Sequence, residues 1–206
     1  MKNTNGLQQA LIDELRDLYS AENQIVKALP KLIKKVSSES LKEALQTHLE
    51  ETEQQVSRLE RIEQIVGSKL SGKMCHGMKG LLKEGEEHVK EKEKEKKGSH
   101  AVLDALVVGA CQRVEHYEIA GYGTARTYAE ALGMNDVSKL LQATLDEEGE
   151  ADKKLSMVSE EDIIPACMSE DESGMEEEEE DEDEGRGRAR RAAQHGSYAA
   201  KRAGNY

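Results

Sequence analysis

The sequence predicts an all-α fold, a four-helix bundle built from two repeated helical hairpins. Apolar residues recur at spacings of three and four positions over most of residues 7–158, and this spacing places side chains on one face of a helix. The whole chain contains only two prolines. The two halves of the apolar pattern also match each other at one constant offset. We therefore expect four long helices, with a short extra helix in the crossover between the hairpins.

The first predicted hairpin has one helix over residues 7–36 and a second that begins with an N-cap within 38–40. Pro30 lies late in the first helix and is expected to kink it. The second helix should end at Gly67, because glycine readily adopts the left-handed conformation that stops a helix.

The second hairpin follows a crossover that contains a surface helix over residues 78–89 and a Lys/Glu run over 90–97. Its first helix is predicted to begin at His100. The last helix should follow Gly133 and extend over residues 137–155.

The two hairpins align without a gap at an offset of 96 residues. The matched pairs include Glu22 with Glu118, Leu45 with Leu141, Leu49 with Leu145, Glu51 with Glu147, and Leu59 with Leu155. Chance matches between leucines are common in helices, but two glutamate pairs in the same register favour a duplication. A duplicated hairpin predicts a bundle with pseudo-two-fold symmetry.

The charge distribution predicts a domain over residues 1–165 and a tail over 166–206. The tail holds twelve acidic and six basic side chains and very few apolar residues. Such a segment cannot bury a hydrophobic face, so we expect it to be disordered. A solvated tail is the simpler interpretation, and an arm that binds cations or a basic partner is the alternative.

Composition excludes several classes of function. The net charge is -13, so a general phosphate-binding surface and a nucleic-acid partner are not expected. Phe and Trp are both absent, which removes the usual residues for stacking on bases. Phosphate-binding glycine loops and nucleophile elbows are absent as well.

Cysteine usage and the amino terminus predict a cytoplasmic protein. Cys75, Cys111 and Cys167 are odd in number and form no C-x-x-C pair, which argues against a disulfide framework or a zinc ribbon. The first residues contain neither a signal sequence nor a transit peptide. No apolar run approaches the roughly 18 residues that a membrane span needs, so no membrane partner is expected.

Acidic residues lie within the apolar stripes of the predicted helices. Glu22 and Glu118 each fall in the middle of a stripe, and Glu148 does so on the fourth helix, with Asp152 one turn further on. A buried carboxylate costs several kcal/mol unless a cation compensates it. No Lys or Arg shares the stripes of Glu22 and Glu118, so a bound metal ion is a natural compensating charge.

The second helix offers two further ligands at the same level of the bundle. His48 lies beside its stripe, and Glu51 follows one turn later with Glu147 as its repeat counterpart. Carboxylates from several helices with an imidazole are what a dinuclear metal site needs. The candidate ligands are Glu22, His48, Glu51, Glu118, Glu147, Glu148 and Asp152.

Each of these acids also has an ordinary structural interpretation. Glu51 and Glu147 can reach solvent from the edge of a stripe, and Glu148 can be protonated or paired with Arg113 or Arg126. The sequence leaves open which of the adjacent Glu147 and Glu148 is a ligand.

Soft metal donors occur close together in the segment Met74-Cys75-His76-x-Met78. This segment has no second cluster to complete a site, and buried Cys and Met usually serve packing. His116 is turned away from the apolar stripe of its helix, so we expect a surface or interface position.

Several motifs together resemble one family. They are Asp17-Leu-Tyr-Ser-Ala-Glu22, His48-Leu-Glu-Glu-Thr52, Cys75-x-x-Met78-x-Gly80-Leu81, Val114-Glu-His-Tyr-Glu-Ile-Ala-x-Tyr122-Gly-Thr124 and Thr144-Leu-Asp-Glu-Glu148. They resemble the YciE/YciF-like branch of the ferritin-like superfamily over residues 7–160. The resemblance implies a ferritin-like bundle, a homodimer and an association with bacterial stress.

The superfamily resemblance implies that Glu22 and Glu118 are single metal ligands. The Glu-x-x-His pairs of that superfamily would need histidine at 54 and at 150 or 151, where this chain has Gln54, Glu150 and Ala151. A site with fewer imidazoles is harder and more anionic. This departure weakens the case for oxygen-activating iron and favours manganese, zinc or a vacant site.

The sequence therefore predicts a stress-response protein with a dinuclear iron or manganese site that oxidises metal or consumes peroxide. In this interpretation Tyr122 orients a carboxylate or a metal-bound oxygen, because it lies one turn after Glu118. The alternative is a non-enzymatic stress protein that acts through dimerisation or partner binding. Whether the protein is an enzyme stays open.

Overall fold

A computed structural model gives the structure of residues 5–92, 94 and 99–169. The chain divides into two units, Met1–Pro165 and Ala166–Tyr206. In the second unit, the described residues 166–169 are helical rather than irregular. The rest of the predicted tail, 170–206, lies outside the described residues.

The described residues are all helical or in short connections, and they contain no β-strand. The five helices are α1 (Asn5–Leu32), α2 (Glu39–Val66), α3 (His76–Lys92), α4 (His100–Ala131) and α5 (Asn135–Val158). A π-helical turn, Ser159–Ile163, continues α5. This arrangement confirms the predicted all-α class, with α3 as the extra helix in the crossover.

The four long helices form a closed ring. α1 packs against α2 and α4, and α5 packs against the same two helices. α2 and α4 therefore lie diagonally opposite each other, which explains why a long crossover joins them. α3 packs on the outside against α4 and α1.

The ends of α1 and α2 differ in how well the sequence predicted them. α1 ends at Leu32, four residues before the predicted end, and Pro30 lies in its last turn. Proline lacks a backbone N–H, so the ladder of hydrogen bonds weakens there. The Ser38 hydroxyl caps α2 by accepting from the Leu41 amide, and Gly67 ends the helix with φ at 64°, both as predicted.

A buried carboxylate on α4 secures the start of α2. Asp104 is buried and accepts hydrogen bonds from the Ser37 hydroxyl at 2.7 Å and from the Ser38 amide at 2.7 Å. These bonds hold the amino-terminal end of α2 against α4, and so fix the height of the residues further along α2.

A hydrophobic core fills one end of the bundle, beyond the level of Glu22 and Glu118. Its buried residues come from all four long helices and include Leu11, Leu15, Leu59, Ile62, Tyr122, Val137 and Leu141. This core fixes the relative height of the four helices at the level where the buried polar residues lie.

None of the described helices is long and apolar enough to cross a membrane.

Candidate metal centre

Four buried polar side chains meet between α2, α4 and α5. His48, Glu115, Glu118 and Glu148 each offer a ligand atom, and these atoms all lie within 4.8 Å of one another. Glu115 and Glu118 are three residues apart on α4, so they share one face of that helix. We call these four residues the four-residue cluster.

Glu22 brings α1 into the same region. Its side chain is fully buried, and one carboxylate oxygen accepts a hydrogen bond from the hydroxyl of Tyr122. The negative charge of Glu22 raises the pKa of Glu118, after burial the largest influence on that group. All four long helices therefore place an acid or an imidazole at this level.

Many of the buried oxygens in this region have no hydrogen-bond partner among the described residues. Both carboxylate oxygens of Glu118 lack one, as do Oε2 of Glu22 and Oε2 of Glu115. The oxygens of Glu148 lack a donor while Glu115 is ionised, but the two carboxyl groups lie close enough to share a proton. Buried polar atoms are normally hydrogen-bonded, because leaving one without a partner costs about 1–3 kcal/mol. So many acceptors aimed at one place fit a cation.

Burial and mutual repulsion raise the pKa of the four fully buried carboxyl groups in this region. The pKa values of Glu22, Glu115 and Glu118 lie well above the ordinary range, chiefly because burial penalises the charged form. The pKa of Glu148 rises to about 7 for the same reason. Without a cation these groups tend to hold protons, which a bound metal ion would displace.

His48 is a neutral imidazole at physiological pH. Burial lowers its pKa to about 4, and the neutral ring is the form that binds metals. Its Nε2 atom lies 3.3 Å from Oε1 of Glu115, but neither ring nitrogen makes a hydrogen bond within the described structure. The ring therefore keeps a lone pair available at the cluster.

The size and chemistry of the four-residue cluster fit a divalent first-row cation. Ligand atoms on opposite sides of such a cation lie about 4.2 Å apart. The ligand atoms of the cluster lie within 4.8 Å of one another, so small side-chain rotations would bring them to this distance. Three carboxylates and one imidazole form a hard donor set.

An arginine supplies positive charge on the side of the bundle where α2 faces α5. Arg58 donates two hydrogen bonds to Glu147, at 2.7 and 2.8 Å, and a third to the Thr144 hydroxyl at 2.6 Å. Its charge lowers the pKa of both Glu22 and Glu148. The stripe analysis did not anticipate this cation, because the long side chain of Arg58 reaches inward from the edge of α2.

Four of the seven predicted ligands lie together in the interior. They are Glu22, His48, Glu118 and Glu148. The other three lie outside the four-residue cluster: Glu51 is half-buried, Glu147 pairs with Arg58, and Asp152 accepts a hydrogen bond from Gln112 at 3.3 Å. Of the adjacent acids, Glu148 points into the cluster and Glu147 towards Arg58.

The sequence analysis missed Glu115. This residue is buried and belongs to the four-residue cluster. The available signal was its place in the series Cys111, Glu115, Glu118 and Tyr122, which alternates steps of four and three residues along one face of α4.

The basic residues considered as partners of Glu148 lie elsewhere. Arg113 donates to the backbone carbonyl of Gly109, and Arg126 pairs with Glu130 at 2.7 Å. His116 is 68% exposed and lies 3.5 Å from Asp152. Its surface position agrees with the sequence-based expectation.

Of the soft donors around Cys75, Cys75 and Met78 are buried, whereas Met74 and His76 are exposed. The buried Cys75 thiol contacts Oδ2 of Asp17 at 2.9 Å and the Tyr117 hydroxyl at 3.0 Å. Tyr117 also donates to Asp17 at 2.6 Å. Burial raises the pKa of the Cys75 thiol, so this cysteine stays protonated and joins the crossover to α1 and α4.

Comparison with known proteins gives relatives that match this chain over nearly their whole length. The Escherichia coli K12 protein YciF is 43% identical over 158 residues, which is 75% of this chain and 90% of YciF. The crystal structure of YciF, described as an E. coli stress protein, superposes with a TM-score of 0.67 and 39% identity, covering 77% of this chain and 96% of that one.

Two further solved structures share the fold. YcfI of Rhodopseudomonas palustris has a TM-score of 0.70 and 41% identity, over 77% of this chain and 98% of its own. A protein from Xanthomonas campestris pv. campestris has a TM-score of 0.62 over 81% of this chain and 99% of its own. Its identity is only 19%, so this likeness concerns the fold alone.

A family profile described as a domain of unknown function, DUF892, matches residues 6–182. This match covers the whole bundle, as does the similarity to YciF. The chain therefore belongs to the YciF-like DUF892 family.

Proposed function

We propose that the bundle binds iron or manganese, with one ion at the four-residue cluster and a second beside Glu22. The carboxylate oxygens that lack partners carry this proposal, because no described donor makes a hydrogen bond to them. The attraction between a bound cation and these oxygens would offset the free-energy cost of their desolvation. Two ions per chain would form the dinuclear site that the sequence predicts.

The donor set favours manganese and iron over softer metals. Carboxylates are hard ligands, and the cluster contains one imidazole and no thiolate. Cys111 lies near Glu115, but burial raises the pKa of its thiol to about 12. The thiolate that a soft metal needs is therefore absent at neutral pH.

We propose a role in stress defence, in which the protein oxidises the metal or consumes peroxide. A redox-active cation supplies the electrons for such chemistry. The residues of this chain would hold it: the carboxylates balance its charge, and Tyr122 orients Glu22. The relative YciF is described as a stress protein, which supports this setting.

The experiment compares oxidation of ferrous ion and consumption of peroxide by the native chain, Glu118→Gln and Glu51→Gln. Glu118→Gln replaces a buried cluster carboxylate with a neutral group of the same shape, whereas Glu51 is half-buried outside the cluster. We expect a loss of about 100-fold or more in Glu118→Gln and near-native rates in Glu51→Gln.

Equal rates in all three proteins at matched metal load would contradict the proposed chemistry. A native chain that binds metal but neither oxidises it nor consumes peroxide would contradict it too, while leaving cation binding standing. Circular dichroism on each variant separates a loss of metal chemistry from a loss of helix.

A second candidate is a non-enzymatic stress protein that acts through dimerisation or partner binding. It is favoured by the two acids that already have protein partners, Glu147 with Arg58 and Glu22 with Tyr122. A homodimer whose mass, measured by light scattering, stays the same with and without metal would fit it. In both candidates we propose a cytoplasmic location, which is supported by the finding that none of the three cysteines, all within the described residues, forms a disulfide.

A further inference from the structure

An apolar cavity of about 410 Å³ lies between α1, α3 and α4. Most of its lining is aliphatic and comes from all three helices, and it includes Ile25, Leu29, Leu81, Leu82, Val107 and Val114. Pockets that hold small molecules typically have volumes of about 300–1,000 Å³. The cavity is therefore large enough for a ligand and has the lining of a site for a hydrocarbon chain.

The open side of the cavity is strongly basic. Lys31, Lys79 and Lys83 are exposed there together with the half-buried Lys35. Glu86 is the acidic residue in the lining, and Lys83 also pairs with Glu87 at 3.3 Å. The pKa of Glu86 is lowered chiefly by its hydrogen bond with Lys90 and, to a smaller extent, by the charges of Lys31 and Lys35. The chain as a whole carries a net charge of -13, so this local excess of lysine stands out and would attract an anion.

The inner end of the cavity reaches the four-residue cluster. His48 and Glu115 belong both to that cluster and to the cavity lining, and Cys111 lies beside them. An anionic group would lose its hydration at this end, because His48 and Glu115 are buried. An amphipathic anion would therefore enter with its apolar part first and leave its charge among the lysines.

We propose that the cavity binds a single-chain fatty acid, with the carboxylate at Lys31, Lys79 and Lys83 and the hydrocarbon chain directed towards His48 and Glu115. The lining contains no aromatic side chain, which suits a flexible aliphatic chain better than a ring system. The proposal goes beyond cation binding, and it holds for the metal-free chain because the lining is complete without a metal.

The close packing of α3 on α4 keeps the cavity narrow. A Cβ atom built on Gly85 would lie 3.1 Å from the Cβ of Ala110, and both residues line the cavity. This glycine lets the two helices approach, so the space is narrow beside it and suits one acyl chain better than two.

The test is isothermal titration calorimetry of the full, metal-free chain with dodecanoate. Decanoate and octanoate measure the contribution of the chain, because each buried methylene should change the affinity about fourfold. Dodecyltrimethylammonium keeps the chain and reverses the charge. We expect saturable binding of one dodecanoate, weaker binding of the shorter acids and at least about tenfold weaker binding of the cation.

Two variants connect binding to the cavity. The double variant Lys79→Glu, Lys83→Glu reverses charge at exposed positions and should fold normally, and it should weaken dodecanoate binding by about tenfold. Its control is Lys139→Glu, Lys154→Glu on exposed positions of α5, outside the cavity, which should bind as the native chain does. Ala28→Phe fills the cavity from α1 and should abolish binding.

Either of two results would overturn the proposal. One is an absence of saturable dodecanoate binding, and the other is an equal loss of dodecanoate affinity in the two double lysine variants. Binding that appears only after metal is added would also overturn it, because the carboxylate would then be held at the cluster rather than by the lysines. Glu118→Gln separates the two proposals, since it should lose metal and keep dodecanoate.

Discussion

Glu118 and Tyr122 lie one turn apart on α4, and both are fully buried. Tyr122 has a partner, since its hydroxyl donates to Glu22. Both oxygens of Glu118 lack a partner among the described residues. The free-energy cost of burying polar groups at the site therefore differs from residue to residue. Substitutions that change one functional group can measure this cost.

Glu118→Gln should stabilise the metal-free chain at pH 8. The neutral amide removes a carboxyl group whose ionisation is opposed by burial and by Glu22. We expect the free energy of unfolding, measured with urea, to rise by about 1–3 kcal/mol. Glu51→Gln is the control and should change it by less than about 0.5 kcal/mol. A clear loss of stability in Glu118→Gln would contradict an uncompensated charge at this position.

Tyr122→Phe should destabilise the chain by about 1–3 kcal/mol, because it removes the hydrogen-bond donor to a buried carboxylate. Tyr128→Phe changes a half-buried tyrosine on the same helix and serves as the control. Urea unfolding measures both. Equal effects of the two substitutions would mean that the Tyr122 hydroxyl does not support Glu22.

Among the helices, α4 contributes most to the site, and its Gly121 packs directly against the Leu18 side chain of α1. A Cβ atom built on Gly121 would lie only 2.8 Å from Cδ2 of Leu18. Gly121 thus allows α4 to approach α1 directly beside the level of Glu22 and Glu118. The spacing of these two carboxylates depends on that contact.

Gly121→Ala should lower the free energy of unfolding by about 1–3 kcal/mol, since the added methyl group must displace Leu18 in a packed core. Gly123→Ala is a matched control on the same helix, because its added methyl group meets nothing within 4 Å. It should stabilise α4 by about 1 kcal/mol through helix propensity. Stabilisation by both substitutions would show that the approach of α1 and α4 is not tight.

The bundle as a whole combines approximate two-fold symmetry with an asymmetric interior. At the offset of 96 residues, His48 corresponds to Thr144 and Glu148 to Thr52. The His48 imidazole and the Glu148 carboxylate therefore correspond to threonine hydroxyls in the repeat. The Thr144 hydroxyl accepts a hydrogen bond from Arg58 at 2.6 Å. The strongest cation site should lie off the symmetry axis.

The stability of the metal-free chain should fall as the pH rises from 6.5 to 8. The pKa of Glu148 is about 7 in the folded chain, above its unfolded value near 4.5, so the stability it contributes is lost as the pH rises through 7. His48, with a folded pKa of about 4, acts in the opposite direction but only below about pH 6.5. Urea midpoints measured with chelator test this.

Saturating manganese should reverse this trend, because the ionised carboxylates are then the form that binds. Glu148→Gln should make the metal-free profile flatter. A native midpoint that rises between pH 6.5 and 8 in the presence of chelator would contradict the raised pKa values of the buried carboxyl groups.

The sequence predicted the helices well because each one follows a single apolar period, and α2 also has strong end signals in Ser38 and Gly67. It placed Glu22, Glu118 and Glu148 in the interior for the same reason. The presence of Glu115 in the cluster and of Arg58 beside Glu147 was harder to predict. The first depends on how α4 is oriented about its own axis, and the second on how far the long Arg58 side chain extends. Glu147 pairs with Arg58 and not with the four-residue cluster for the same reason.

The most direct test of the central claim is the metal content of protein purified without chelator, measured by plasma mass spectrometry. The native chain is compared with the double variant Glu22→Gln, Glu118→Gln, and circular dichroism verifies that both are helical. We predict about two equivalents of iron or manganese per native chain and a loss of nearly all of it in the variant. Trace metal that is equal in the two proteins would contradict the metal centre.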